Sequence, residues 1–232
     1  MGTDNIFKQR KNLRKERKSE YKTPKANSYL IVTEGERTEP LYFGGIKKLI
    51  EQKLGGTIDI KEANSPSIEI CGEGCSTNRL IEATEQIIRD SKILYQNIWV
   101  VFDKDDFDDF DEAIKIGNEK GYNIAWSNQC FEYWLFLHFA YSDSALHRDV
   151  WSDKMDEIFK KYGIKDGKYQ KNYGDIYEIV NRYGSTKTAI KHAKRRMADY
   201  GKMKEKPSEY DPGTTVHNLV EELHKYLDEY VN

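Results

Sequence analysis

Residues 98–112 read IWVVFDKDDFDDFDE, an apolar run that ends abruptly in a cluster of carboxylates. A short, fully apolar run of this kind is typical of a buried strand. The aspartates that follow repel one another at such close spacing, so the local fold is destabilised unless something offsets their charge. The stretch therefore predicts a strand that carries acids at its end, which form either a solvated loop or a site for a divalent cation. The aspartates are Asp103, Asp105, Asp106, Asp108, Asp109 and Asp111.

Strand and helix patterns alternate on both sides of this stretch. SYLIVTE (28–34) and YNIAWS (122–127) read as strands, and TIDIKEA (57–63) and SIEICG (67–72) are strand-like. Apolar residues at helical spacing fall between them, in residues 40–56, 76–94 and 108–121. Such alternation implies right-handed βαβ units, and so an α/β fold with a mostly parallel sheet of about four strands flanked by helices.

The second half of the chain has a different pattern. CFEYWLFLHFA (130–140) is apolar almost all round and predicts a buried helix. Helical spacing then recurs to the end of the chain. We therefore predict an α/β domain over residues 28–140 and a helical region, residues 141–232, packed on it. The C-terminal helical stretches are 155–164, 169–184, 186–201 and 214–230.

Composition narrows the class of protein. The chain has 232 residues and a mean hydropathy of −0.82, and none of its apolar runs reaches the roughly 20 residues of a membrane span. Its three cysteines argue against a disulfide framework. The basic N-terminus lacks the apolar segment of a secretory signal. We expect a cytoplasmic protein that has its own core and does not bind membranes.

Residues 1–27 form a basic, flexible arm in this interpretation. They hold nine Lys or Arg residues against three acids, a charge of +6. The rest of the chain therefore carries −8, and the two parts add to the net charge of −2. Such an arm suits binding to nucleic-acid phosphates, and it equally suits a solubilising tail. The sequence alone does not choose between them.

Two predicted strands end in acids. Glu34 lies at the tip of the first, and Asp103 and Asp105 lie just past the tip of the third. In an open parallel sheet, sites form at the carboxyl ends of strands. An Asp-x-Asp pair holds Mg²⁺ through a few carboxylate oxygens, and a glutamate on a neighbouring tip completes that shell or moves protons. The EF-hand alternative fails because the required glycine and glutamate positions are Asp108 and Ile114.

Other polar residues have weaker signals. Asp108, Asp109 and Asp111 are explained by the helix N-terminus that follows them. Cys71 and Cys75 lack a second ligand pair for zinc, although the glycine-rich turn between them offers backbone N–H groups to a phosphate. His138 is interpreted as a structural histidine. Four apolar residues of the same predicted helix are expected in the core: Phe131, Trp134, Leu135 and Phe139.

The pair of strand tips resembles the Toprim pattern, in which a strand ending in Glu-Gly is followed by a strand ending in Asp-x-Asp. Within that group the chain resembles the RloB family, found near restriction and abortive-infection loci. The matching segments are YLIVTEGERTEPLYF, VVFDKDDF, NQCFEYWLFLHF and DPGTTVHNLVEEL, which together span residues 29–223. The resemblance implies a Toprim-like, Rossmann-like domain.

The resemblance also implies roles for individual residues. Glu34 matches the Toprim glutamate, with a catalytic or metal-binding role, and Asp103 and Asp105 match the metal-binding pair for Mg²⁺ or Mn²⁺. Asp106 is a further candidate ligand, and Glu36 and Glu39 could support the same site. A buried glutamate is costly unless paired, so Glu132 either faces the site or pairs with a cation, and the family match favours a catalytic role in the site. Apart from the resemblance, a nuclease needs cations to hold a polyanion near an acidic metal site and to stabilise its transition state, and Lys171 and Lys187 are the candidates for that catalytic role.

Three functions remain open from the sequence. The first is a metal-dependent nuclease of Toprim type that cleaves RNA or DNA in antiphage defence, with another defence-system protein as a possible partner. The second is a non-catalytic nucleic-acid-binding or sensor module on the same scaffold. The third is an enzyme that transfers phosphate or nucleotidyl groups on a small nucleotide.

Overall fold

The structure is a computed structural model that describes residues 22–54, 66–104 and 108–228. Seven strands and eight α-helices lie within these ranges. In chain order they are β1 (Thr23–Pro24), β2 (Ser28–Thr33), α1 (Thr38–Leu54), β3 (Ser67–Gly72), α2 (Thr77–Asp90), β4 (Ile93–Leu94), β5 (Asn97–Asp103), α3 (Phe110–Glu119), β6 (Asn123–Asn128), α4 (Phe131–Phe136), α5 (Arg148–Tyr162), α6 (Ile176–Tyr183), α7 (Thr186–Asp199), β7 (Gly213–Thr214) and α8 (Val216–Asp228).

The main sheet has five strands in the order β3-β2-β5-β6-β7. The first four are parallel and β7 is antiparallel to β6, so the sheet is mixed. β1 and β4 form a separate two-stranded parallel ladder. The predicted α/β fold is confirmed. The antiparallel edge strand was not predicted, because two residues are too few to produce a hydrophobic pattern.

Both faces of the sheet are covered, which explains why β2 and β5 read as continuous apolar runs. Side chains alternate between two cores because successive residues of a strand point to opposite faces. Tyr29 and Ile31 belong to a core shared with α1 and the C-terminal helices, and that core extends as far as Leu227. Leu30 and Val32 belong to a core under α2 and α3.

The strand order creates a crevice between β2 and β5. The chain leaves β2 toward β3 on one side, and it leaves β5 toward β6 on the other. α1 and α3 therefore diverge from neighbouring strand ends. Ligand sites of open α/β sheets form at such a reversal, outside the carboxyl ends of the strands.

Several predicted elements differ from the structure. The segment 169–184 was predicted as one helix, but only α6 forms, because the backbone N–H of Tyr169 donates to the Asp156 carboxylate at 2.7 Å and the chain turns. α5 begins seven residues before the predicted 155, capped by His147. α4 is shorter than predicted, and Phe139 is half-buried and not in the core.

Some predictions fall outside the described residues. These are the strand-like segment 57–63 and residues 1–21 of the predicted arm. The last residues assigned to the arm include β1. Within residues 22–54, 66–104 and 108–228, none of the helices is long and apolar enough to cross a membrane.

Candidate functional site

Glu34 follows β2 and lies across the tip of β5. Its backbone N–H donates to the Val101 carbonyl at 2.9 Å, which extends the parallel ladder by one residue. Its carboxylate accepts the backbone N–H of Asp103 at 3.2 Å and the hydroxyl of Thr77 at 3.3 Å. Three hydrogen bonds from two neighbouring elements, β5 and α2, therefore fix the glutamate that the sequence placed at this strand tip.

Asp103 is the last residue of β5 and is held from the opposite side. Its carboxylate accepts the backbone N–H of Phe131, the first residue of α4, at 3.0 Å. Burial, and then the negative charges of Glu39, Glu132 and Glu34, raise the pKa of Asp103 well above its usual range, although the Phe131 N–H opposes that shift. The site thus concentrates more negative charge than its hydrogen bonds offset.

Glu39 and Glu132 complete a set of four carboxylates, hereafter the carboxylate cluster (Glu34, Glu39, Asp103 and Glu132). Glu39 is buried in the first turn of α1, and Glu132 is buried in α4. The Glu39 carboxylate lies against Gly35, where an added Cβ would be only 2.2 Å from a carboxylate oxygen. Glycine at position 35 therefore allows the close approach of Glu39 to the backbone.

Cations border the carboxylate cluster on one side. The ammonium of Lys171 lies 3.3 Å from the carboxylate of Glu132, which also accepts the hydroxyl of Tyr169 at 3.1 Å. Burial opposes the charged form of Lys171, but Glu132 and Asp103 outweigh it, so its pKa is raised. The sequence left two roles open for Glu132, and the structure shows both: it faces the acidic site and it is paired.

The carboxylate cluster and Lys171 line one cavity of about 340 Å³ at the crevice between β2 and β5. Its acidic lining residues are Glu34, Glu36, Glu39, Asp103 and Glu132, and its basic ones are Arg37, Arg148 and Lys171. A cavity lined by both carboxylates and cations is complementary to a bound cation and a phosphate group next to each other.

The family comparison agrees with the segments that carry the resemblance. The model of the family described as RloB-like protein matches residues 29–223. The chain belongs to the RloB-like family. The match includes the whole carboxylate cluster and the three lining cations. None of the curated proteins and none of the solved structures that were compared matches this RloB-like chain.

The other predicted site residues of the RloB-like chain have different positions. Asp105 and Asp106 lie outside the described residues. Lys187 is exposed in the first turn of α7 and does not line the cavity. Lys171 and Lys187 have the same kind of sequence signal, a lysine in a predicted helical segment, but only Lys171 lies at the cavity.

Two further predictions concern the loops around the site. Gly74 lines the cavity, but its N–H donates to the Glu34 carbonyl at 2.9 Å, and that of Glu73 donates to Thr33 at 3.0 Å. The sequence suggested that the glycine-rich turn offers its backbone N–H groups to a phosphate. These two N–H groups are instead used within the protein. Asp111 lies in the first turn of α3 as expected, and it also accepts both the N–H and the hydroxyl of Ser208.

His138 is a structural histidine, as predicted. Its ring is buried, Nδ1 lies 3.1 Å from the Trp134 carbonyl, and Nε2 lies 3.1 Å from the Tyr42 hydroxyl. The neutral tautomer that satisfies both contacts donates from Nδ1 and accepts at Nε2. Cys71, Cys75 and Cys130 are free thiols.

The sequence did not single out Arg37, Arg148 or Tyr169. Arg148 comes from the start of α5, and Tyr169 from the turn after it, far along the chain from the strand tips. Neither lies in a motif. Only the cost of a buried glutamate at position 132 pointed to a partner in the helical region, without identifying which one.

The donor chemistry of the RloB-like site suits a hard divalent cation. Carboxylate oxygens are the ligands that Mg²⁺ prefers, and a cation would offset the repulsion that, after burial, raises the pKa of Asp103. Among the described residues, however, three or more acidic, histidine or cysteine side chains do not come together in a ready-made metal-binding group. The predicted ligands Asp105 and Asp106 are not among those residues.

Proposed function

We propose that this RloB-like protein is a metal-dependent nuclease that cleaves phosphodiester bonds in RNA or DNA. The observation that carries the proposal is the convergence of the carboxylate cluster with Lys171 and Arg148 in one cavity at the strand reversal. A phosphodiester needs cations around its oxygens, and a divalent ion needs carboxylates. The cavity offers both the cations and the carboxylates.

Glu34 and Asp103 would hold Mg²⁺ or Mn²⁺, together with Asp105 and Asp106. When bound, such an ion supplies Lewis-acid stabilisation of the phosphate and favours deprotonation of water. The protein fixes the two described ligands before any ion binds, because the Thr77 hydroxyl and two backbone N–H groups hold their carboxylates. Preorganisation of this kind reduces the entropy lost on binding.

Lys171 and Arg148 would hold the substrate phosphate. Lys171 is more than half exposed, whereas its partner Glu132 is buried, so the ammonium remains accessible from the cavity while the carboxylate anchors it. The Tyr169 hydroxyl donates to the same oxygen of that carboxylate and helps to fix it. The arrangement would position a cation beside the developing negative charge of the transition state.

Glu34 and Glu39 are the candidates for proton transfer. Both carboxylates line the cavity next to Asp103, within reach of an attacking water or a leaving oxygen. Glu39 lies in the first turn of α1, where the helix dipole stabilises its negative charge. A Toprim-like fold and a role in antiphage defence belong to the same proposal and rest on the family resemblance.

The test is cleavage of a mixed pool of tRNA, single-stranded RNA and plasmid DNA with Mg²⁺, with Mn²⁺ and with EDTA. Wild type should cleave at least one substrate only when the metal is present. The double variant Asp103→Ala with Asp105→Ala should not cleave, while Asp153→Asn, an exposed acid on α5 that does not line the cavity, should cleave as wild type does.

Cleavage by the double variant at the wild-type rate would refute the nuclease proposal. Tight binding of the pool without cleavage under any metal condition would favour the non-catalytic module. Consumption of ATP or GTP, added in a parallel reaction, would favour the nucleotide enzyme.

A further inference from the structure

A short loop after α7 exposes three lysines and a methionine. Residues 202–206, hereafter the basic loop, are all exposed, and Lys202, Lys204 and Lys206 alternate along it. Met203 is 94% exposed, the highest value among the exposed large hydrophobic residues that the structure describes. The loop therefore offers both positive charge and an apolar side chain to a partner.

The basic loop is held in place by its own hydrogen bonds. The backbone N–H of Lys204 donates to the hydroxyl of Tyr210 at 2.8 Å, and that of Lys206 donates to the carboxylate of Glu209 at 2.9 Å. These bonds use the backbone, and all three lysines remain exposed. The loop thus presents its charges from a defined backbone, which reduces the entropy lost on binding.

The base of the loop is attached to the edge of the sheet that carries the carboxylate cluster. The hydroxyl and N–H of Ser208 donate to Asp111 at 2.6 and 2.8 Å, and its carbonyl accepts from Asn128 at 2.9 Å. Asn128 ends β6, and its neighbour Ser127 pairs with Asp103 on β5. About one strand spacing, roughly 5 Å, therefore separates the strand that anchors the loop from the strand that carries Asp103.

The charge of this region opposes that of the chain. Residues 195–206 hold five basic and two acidic side chains, a balance of +3, whereas the whole chain carries −2. The guanidinium of Arg196 lies over the ring of Tyr200, 3.9 Å from the ring centroid. The ammonium of Lys204 lies over the same ring, 5.5 Å from its centroid. This packing collects cations in one place instead of dispersing them.

We propose that the basic loop binds the phosphate backbone of a nucleic acid whose scissile bond lies in the cavity, and that Met203 contacts a sugar or base beside it. The inference rests on the proposed function and extends it with a second contact outside the cavity. RNA and DNA share the phosphate chemistry that the lysines recognise.

The test compares three variants of the full chain with wild type. The first replaces Lys202, Lys204 and Lys206 with glutamine, and the second is Met203→Ser. In the control variant, three other exposed lysines are replaced with glutamine. They lie on helices that lead away from the carboxyl edge of the sheet. These control lysines are Lys48, Lys115 and Lys225.

Binding of fluorescent single-stranded RNA, single-stranded DNA and duplex DNA is measured without divalent metal over a salt series. The triple loop variant should lower the slope of log K against log salt by about 2 on single strands, since each lost phosphate contact removes about 0.7. Met203→Ser should weaken binding several-fold with an unchanged slope. The control should match wild type. The nucleic acid whose binding is weakened most by the loop substitutions is then identified as the ligand of the basic loop.

Hydrolysis of bis(p-nitrophenyl) phosphate with Mn²⁺ separates this proposal from the nuclease proposal. This small diester cannot span the cavity and the loop, so the loop variants should hydrolyse it at the wild-type rate. Unchanged affinity and slope in the triple loop variant would overturn the loop proposal even if cleavage is confirmed. Loop-dependent binding by a protein that cleaves nothing would support the loop and refute the nuclease.

Discussion

Replacement of Asp103 with asparagine should stabilise the metal-free protein while it abolishes cleavage. Burial and the charges of the neighbouring glutamates raise the pKa of the Asp103 carboxyl, so its charged form is disfavoured in the folded state. Asparagine has nearly the same shape, and its amide oxygen can still accept the Phe131 N–H. The substitution therefore removes the repulsion and keeps the hydrogen bond.

The size of the effect follows from the cavity. A cavity of about 340 Å³ is roughly 9 Å across if it is treated as a sphere, and two charges at that separation repel by about 2 kcal/mol at an effective dielectric constant near 20. Lys171 offsets part of this, and water in the open cavity screens more. We expect a net gain of about 1–2 kcal/mol in the free energy of unfolding at pH 7, typical of substitutions that relieve strain at a functional site.

The sign of the pH dependence is fixed by the same shift. An acid whose pKa is raised on folding costs no stability at a pH below its unfolded value, 3.8, and costs progressively more as the pH rises. The gain from Asp103→Asn should therefore vanish in acid and grow toward neutral pH.

The assay is urea unfolding followed by tryptophan fluorescence, in EDTA and in Mg²⁺. Wild type should gain about 1.4 kcal/mol when Mg²⁺ is at ten times its dissociation constant, and Asp103→Asn should gain much less. The reasoning is refuted if Asp103→Asn is less stable than wild type in EDTA at pH 7.

Three further predictions concern single residues. Burial lowers the pKa of His138 to about 3, so its contribution to stability is full above pH 6.5 and is lost as the pH falls. Between pH 7.5 and 5, the free energy of unfolding measured in urea should therefore fall by about 2 kcal/mol less in His138→Gln than in wild type. Equal losses in the two proteins would contradict this. Gly35→Ala should lower the cleavage rate at least tenfold because its Cβ would displace the Glu39 carboxylate, whereas Gly44→Ala, which has open space, should cleave normally. Lys171→Ala should lower kcat for cleavage at least tenfold, since it removes a cation beside the substrate phosphate; Lys171→Arg should restore part of that loss, and an unaffected kcat in Lys171→Ala would contradict the assigned role.

Much of the site's frame could be predicted from the sequence. β2 and β5 are buried on both faces, so each appears as an unbroken apolar run, and each run ends at a carboxylate. Parallel strands bring their carboxyl ends to one edge of a sheet, so the two runs are enough to predict that Glu34 and Asp103 lie together. The helix that begins after residue 108 was also predicted, with acids in its first turn.

The other side of the cavity could not be predicted in this way. The Thr38 hydroxyl donates to the carbonyl of Lys171, at a separation of 133 residues, and this contact joins the start of α1 to the turn after α5. Periodicity describes which face of an element is buried but not which distant turn packs against it. For that reason Lys171 and Lys187 could not be separated, and Arg148 was missed.

Manganese binding tests the central claim most directly, because the account requires Glu34 and Asp103, with Asp105 and Asp106, to hold a divalent cation before any substrate is present. Mn²⁺ is titrated into wild type, Asp103→Asn and Asp153→Asn, and free Mn²⁺ is followed by electron paramagnetic resonance. Wild type and Asp153→Asn should bind with the same affinity, and Asp103→Asn should bind at least tenfold more weakly. Equal Mn²⁺ affinity in Asp103→Asn and wild type would contradict the account.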